Sequence, residues 1–128
     1  MSLQITSLIA ALMGLMMVPL SFRVSLRRRH LKTSFGDADD DLLRRSIRAH
    51  GNFVEYAPMA LILLALVEWN GAPALLTWSL GVAFLAARVF HAYGMLYTAG
   101  HGARGIGMLV QHLAFLLAAA WLLFDFSL

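Results

Sequence analysis

Four long apolar runs, separated by short polar joints, organise the chain. The first, from Leu3 to Phe22, carries no charged residue and is long enough to cross a bilayer as a helix at about 1.5 Å per residue. RRRHLKTSFGDADDD follows, Arg27 to Asp41, with Gly36 as a breaker and four aspartates that suit the positive end of a following helix. A second apolar run, Phe53 to Val67, is entered through an amphipathic lead-in from Arg44 to Gly51. Asn70-Gly71-Ala72-Pro73 reads as a tight turn, and Pro73 is placed to open a third helix ending near Tyr97. TAGHGARG, Thr98 to Gly105, is a short Gly-rich joint before the fourth run. The pattern predicts one all-α domain with helices at about 3–27, 40–69, 73–97 and 105–125. Pro19 and Pro58 fall inside helices, which membrane helices tolerate when neighbours satisfy the freed carbonyls.

Composition moves this reading from helical to membrane-embedded. Of 128 residues 60% are hydrophobic and 13% charged, so the chain cannot cover its apolar surface with polar groups. An integral membrane four-helix bundle is the expectation; a transmembrane barrel would show alternating segments that are absent. No small-residue cleavage site follows the first run, which is therefore expected to be a retained helix. The lack of cysteine excludes disulfides, thiolate metal sites and a cysteine nucleophile. All ten Lys and Arg lie in the first and third joints or on the helix ends nearest them. By the positive-inside rule those joints are cytoplasmic and both termini face the other side. The same placement accounts for a pI near 10.0 without nucleic acid as a partner.

Within this frame the candidate chemistry sits on the second and third helices. Arg44, Arg45, Arg48, Asn52 and Glu55 fall within an arc of about 100° on one helix. Polar groups on such a stripe need partners, because each unsatisfied one costs several kcal/mol in hydrocarbon. Glu55, below the interface, is expected to meet a cation, with Arg48 and Arg88 as the candidates. The same atoms serve equally to lock helices together. Arg88, His91 and Met95 share one face of the third helix; His91 suits a ligand or a hydrogen bond to a neighbouring helix. His50 points away from the stripe, toward the surface or lipid headgroups, and Gly51 at its edge leaves room for close approach. One of Gln111 and His112 is expected to make an interhelical hydrogen bond, and His101 and Arg104 are placed to close a site from the Gly-rich joint or to act as ordinary membrane-surface anchors. The five histidines are scattered and form no metal set.

RxxxRAHGNxxEYxP at Arg44 to Pro58, NGAP at Asn70, RxxHxYG at Arg88 and the Arg104-Gly105 pair together resemble the MAPEG proteins, membrane-associated proteins in eicosanoid and glutathione metabolism. The likeness covers essentially the whole chain and is nearest to the small bacterial inner-membrane branch. It implies a homotrimer whose sites lie between subunits, open to the cytoplasm and hold glutathione in a bent form. Carried onto this sequence, Arg48, Asn52, Glu55, Tyr56, Arg88 and His91 would bind the peptide. Arg104 would be the catalytic residue, stabilising the thiolate, although an ungapped extension from the third helix places it two residues off the family position. Glutathione, the implied co-substrate, offers two carboxylates for arginines and an ammonium for Glu55. Where glutathione-conjugating members have a further tyrosine, this chain has Met95, which removes one hydroxyl contact.

Two functional readings follow. One is a membrane-embedded protein that binds glutathione or a related thiol, with transferase or peroxidase chemistry on hydrophobic electrophiles dissolved in the bilayer. The other is a non-catalytic lipid-binding or scaffold protein whose Arg/Asn/Glu seam is structural. A small multidrug exporter fits poorly, because the first helix has no acidic residue to couple ions.

Overall fold

Asp40 starts the second helix as the charge pattern predicts. Its carboxylate accepts the backbone N–H of Leu43 at 2.7 Å and is gripped on both oxygens by the Arg27 guanidinium, at 3.0 and 2.6 Å. The structure, a computed structural model, describes residues 3–98 and 102–126. Its elements are α1 (Gln4–Leu31), α2 (Asp41–Trp69), α3 (Ala74–Tyr97) and α4 (Gly102–Phe126), with no strand among the described residues. All four are long and apolar enough to cross a membrane.

Two boundaries differ from expectation. α1 runs one turn past Arg27, because Arg28, Arg29 and His30 suit the negative end of a helix. It stops at Lys32, in left-handed conformation at φ 54°, where the N–H groups of Lys32 and Thr33 close back on the Arg29 and Arg28 carbonyls. α4 begins three residues early, at Gly102. Pro19 and Pro58 both lie within unbroken helices and face outward. The α2–α3 turn is as tight as predicted: Gly71 takes φ 80°, and its N–H bonds the Glu68 carbonyl.

The helices alternate in direction. At one end Arg45 of α2 donates to the Thr98 carbonyl at 3.2 Å, and Arg23 of α1 lies over the Tyr97 ring, which joins the adjoining ends of α1 and α2 to the end of α3. At the other end the Glu68 carboxylate accepts the backbone N–H groups of Ile5 at 2.9 Å and Thr6 at 2.7 Å. α1 has no side-chain cap of its own, so a residue from the end of α2 supplies it. α2 and α3 form the middle: α1 packs on both from one side, α4 on both from the other, and α1 and α4 do not touch among the described residues.

Small residues let these helices approach. A Cβ at Gly107 would stand 2.7 Å from the Ala87 carbonyl oxygen and the His91 nitrogen, and one at Gly94 would stand 2.5 Å from the Arg104 nitrogen. This tight α3–α4 crossing sets the register that brings Arg104 and Met108 alongside His91. Ile9, Met13, Leu64 and Phe84 fill the apolar core around α2 and α3. Large apolar side chains such as Leu15, Leu75 and Leu123 remain on the outside, where lipid is their natural solvent.

Candidate functional site

Between α2, α3 and α4, toward the end that carries the α1–α2 loop, lies a polar cavity of about 290 Å³. Its walls are Arg48 and Asn52 from α2, His91 and Met95 from α3, and Arg104 and Met108 from α4. Each helix contributes two residues four positions apart, so each pair shares one helical face. Among the described residues no acidic side chain lines the cavity, and its two arginines leave it with a positive field. A second, apolar cleft of about 310 Å³ between α1 and α2, with Met13, Gly14, Phe53 and Pro58 in its walls, offers no group for chemistry.

Arg88 stands behind the Asn52 wall and is almost completely buried, at 1% exposure. Its Nη1 donates to Asn52 Oδ1 at 2.6 Å and to the Asn52 carbonyl at 3.4 Å. The Tyr56 ring covers its guanidinium at 5.0 Å, and Nη2 faces the Met108 sulfur at 4.0 Å. Tyr56 in turn stacks on Phe115 and meets the His112 ring edge-on. An N–H of Arg104 reaches the Met95 sulfur at 3.7 Å. The thioethers of Met95 and Met108 thus occupy positions beside guanidinium groups that would favour stronger, anionic acceptors.

Several expectations change here. The stripe on α2 divides into three. Arg44 and Arg45 turn to the loop, pairing with Asp37 and Asp41 at 2.8 Å each; only Arg48 and Asn52 reach the cavity. Glu55 is exposed on the outer face of α2, and among the described residues neither Arg48 nor Arg88 pairs with it. The reason is angular: at about 100° per residue Glu55 and Tyr56 lie on opposite sides of Asn52, and Arg88 arrives from the Tyr56 side. Tyr56 supports Arg88 instead of lining the cavity.

His50 does not face the surface freely. It is half-buried, and its Nε2 is enclosed without a hydrogen-bond partner among the described residues. A Cβ at Gly51 would meet nothing within 4 Å, so no neighbouring group closes on it. Among the described residues neither Gln111 nor His112 makes an interhelical hydrogen bond: Gln111 is fully buried with neither amide atom bonded to them, and His112 bonds the Met108 carbonyl of its own helix. His101 lies outside the described residues. Among the described residues no cluster of three or more His, Cys, Asp or Glu could hold a metal.

The motifs that build this cavity fall inside one family match. The model of the MAPEG family fits residues 6–124, from the first turn of α1 to the end of α4. The chain belongs to the MAPEG family. Among curated proteins it is similar to the inner membrane protein YecN of Escherichia coli K12, with 37% identity over 90 residues, 70% of this chain and 69% of that protein. YecN of the uropathogenic E. coli strain CFT073 matches to the same extent. No solved structure matches.

Two features of this MAPEG chain escape the motif. Met108 was legible in principle, since it stands one turn after Arg104 and so shares its face. Glu68 reads in sequence as an isolated charge at a helix end; only the packing of α1 on α2 turns it into a cap.

Proposed function

We propose that this MAPEG protein binds glutathione or a related small thiol in the membrane and presents its sulfur to hydrophobic electrophiles. The observation that carries the reading is the cavity between α2, α3 and α4, lined by Arg48, Asn52, His91 and Arg104 with no carboxylate among the described lining residues. Arg48 suits a ligand carboxylate, Asn52 a peptide amide, and Arg104 a thiolate, whose formation a nearby guanidinium favours. Met95 and Met108 beside the arginines give way readily to an anion, because a thioether is a weak acceptor.

The same reading gives the assembly and the address. Arg48 and Glu55 are exposed on the outer face of a helix long enough to cross the membrane, where a carboxylate facing lipid is costly. A homotrimer with ligand sites between subunits covers that face and sets Glu55 against the ligand ammonium. The relatives' inner membrane assignment and the basic loop end favour a multi-pass inner membrane protein with both termini periplasmic.

Ultraviolet thiolate absorbance on adding glutathione to the purified protein tests the site. Wild type should give a saturable signal, and Arg104→Ala should bind without it; no wild-type signal, or no change in the variant, removes the thiol-activation reading.

One observation favours the second reading, a non-catalytic lipid-binding or scaffold protein. Both terminal nitrogens and the ring-facing side of Arg88 are engaged, with Asn52, Met108 and Tyr56, as in a helix brace. On that reading Glu55→Gln dissociates the trimer and no thiol binds. A variant that stays trimeric yet loses ligand excludes it.

A further inference from the structure

The α1–α2 loop sorts its charges. Asp40 is held by Arg27, Asp37 and Asp39 by Arg44, and Asp41, the first residue of α2, by Arg45, so all four aspartates at this end are taken by basic side chains. Three cations at the end of α1 are left over. Arg29 and Lys32 are exposed, and Arg28 is half-buried with its Nε–H enclosed and unaccepted; among the described residues no carboxylate reaches any of the three. Beside them Phe35 is 84% exposed, an aromatic ring in an otherwise polar loop with almost none of its surface covered by the protein.

Height in the membrane gives these residues a common neighbour. The 28 residues of α1 span about 42 Å, against a hydrocarbon core of about 30 Å and about 40–45 Å with headgroups. Glu68 and Trp69 mark the opposite interface, where α1 begins. The last turn of α1 therefore emerges among the headgroups, and the left-handed closure at Lys32 turns the chain sideways there instead of letting it continue into water. An aromatic ring flanked by cations at that depth has the chemistry of an interfacial anchor: the ring enters the headgroup–acyl boundary and the cations meet phosphate. Were the aspartates unpaired, they would repel an anionic surface; their pairing removes that cost.

We propose that the α1–α2 loop is a docking surface for anionic phospholipid headgroups, with Arg28, Arg29 and Lys32 on the phosphates and Phe35 inserted beneath them. The proposal is independent of the thiol reading and would survive its failure. Its consequence is a loop whose position follows the charge of the lipid, at the same end of the molecule as the polar cavity.

The cysteine-free sequence makes a direct test simple. Ser34→Cys, labelled with a nitroxide in the full chain and reconstituted in vesicles, leaves Phe35 in place and reports depth through collisions with oxygen and with a water-soluble nickel complex. In mixed phosphatidylglycerol–phosphatidylcholine vesicles the label should be oxygen-accessible and shielded from nickel; in phosphatidylcholine alone, or in high salt, it should move toward water. Replacing Arg28, Arg29 and Lys32 by glutamine should reproduce the shift in anionic vesicles, each loss weakening docking about fivefold. Phe35→Ser should do the same without altering net charge. Nickel access in anionic vesicles would overturn the proposal. So would a depth indifferent to lipid charge, which means insertion without headgroup recognition, or shielding from both reagents, which marks a protein contact. The lipid comparison uses one labelled protein and so stands even if the triple variant misfolds.

Discussion

Asn52 and Arg88 meet where the chemistry of the site and the cohesion of the bundle coincide. A buried guanidinium is costly unless its protons find acceptors; the 2.6 Å contact to Asn52 Oδ1 is the shortest Arg88 has, and its Nε–H has no partner among the described residues. Asn52→Leu removes that acceptor and leaves the charge in place. It should destabilise the protein by about 2–3 kcal/mol, measured as a fall in the detergent melting midpoint against wild type. Arg88→Lys should not rescue function, because an ammonium cannot both bond Asn52 and cover the Tyr56 ring in the same way. At this scale the sequence motif located part of the cavity lining and was poor about contacts. Arg48, Asn52, His91 and Arg104 were all selected from the sequence and do converge on one cavity. The pairing of Glu55 with an arginine was also expected, and failed, because a stripe of about 100° still contains two sides and the neighbouring helix approaches only one. Periodicity gives azimuth on a helix; it does not give the azimuth of the partner.

Helix ends and crossings carry the next set of consequences. Glu68 caps α1 from another helix, so Glu68→Ala leaves two backbone N–H groups without an acceptor. The cost should be about 1–2 kcal/mol, seen first as faster amide exchange at Ile5 and Thr6. Gly107→Val places atoms where the Ala87 carbonyl and the His91 backbone already stand, so α3 and α4 must separate. A loss of about 1–3 kcal/mol is expected, together with loss of ligand binding, because Arg104 and Met108 move with α4.

Asp40 gives a pH dependence with a definite sign. The Arg27 side chain, and then the Leu43 N–H, hold its carboxyl down at about 2. Its contribution is therefore present above the ordinary carboxylate range and lost as pH falls toward 2. Arg27→Gln should raise the Asp40 midpoint in a carboxyl carbon titration. An unmoved midpoint would show that the helix cap alone sets it. Of the elements themselves most was legible. The apolar runs, the Asn70–Pro73 turn and the aspartate cap follow from composition and turn chemistry. The extra turn of α1 was missed because a run of arginines reads as loop until the helix's negative end is counted in its favour.

As a whole molecule the chain is an open arrangement, with α2 and α3 central and α1 and α4 on opposite flanks. Apolar side chains cover its outside, and one outward face of α2 carries the isolated Glu55. That face is the reason to expect more than one copy. Glu55→Gln should leave the secondary structure unchanged while shifting the oligomer, the bound ligand or both, and native mass spectrometry with a ligand titration separates these outcomes. The four spans and their alternation could be read from hydropathy and charge placement; the cavity could not, because it arises from how Gly94 and Gly107 set α3 against α4.

The central claim is that this cavity holds a thiol peptide through its arginines. Titrating purified protein with glutathione while following thiolate absorbance tests it most directly. The account predicts a saturable rise for wild type that disappears in Arg104→Ala, with the fold intact by circular dichroism. An absent rise in wild type, or the same rise in the variant, would contradict it.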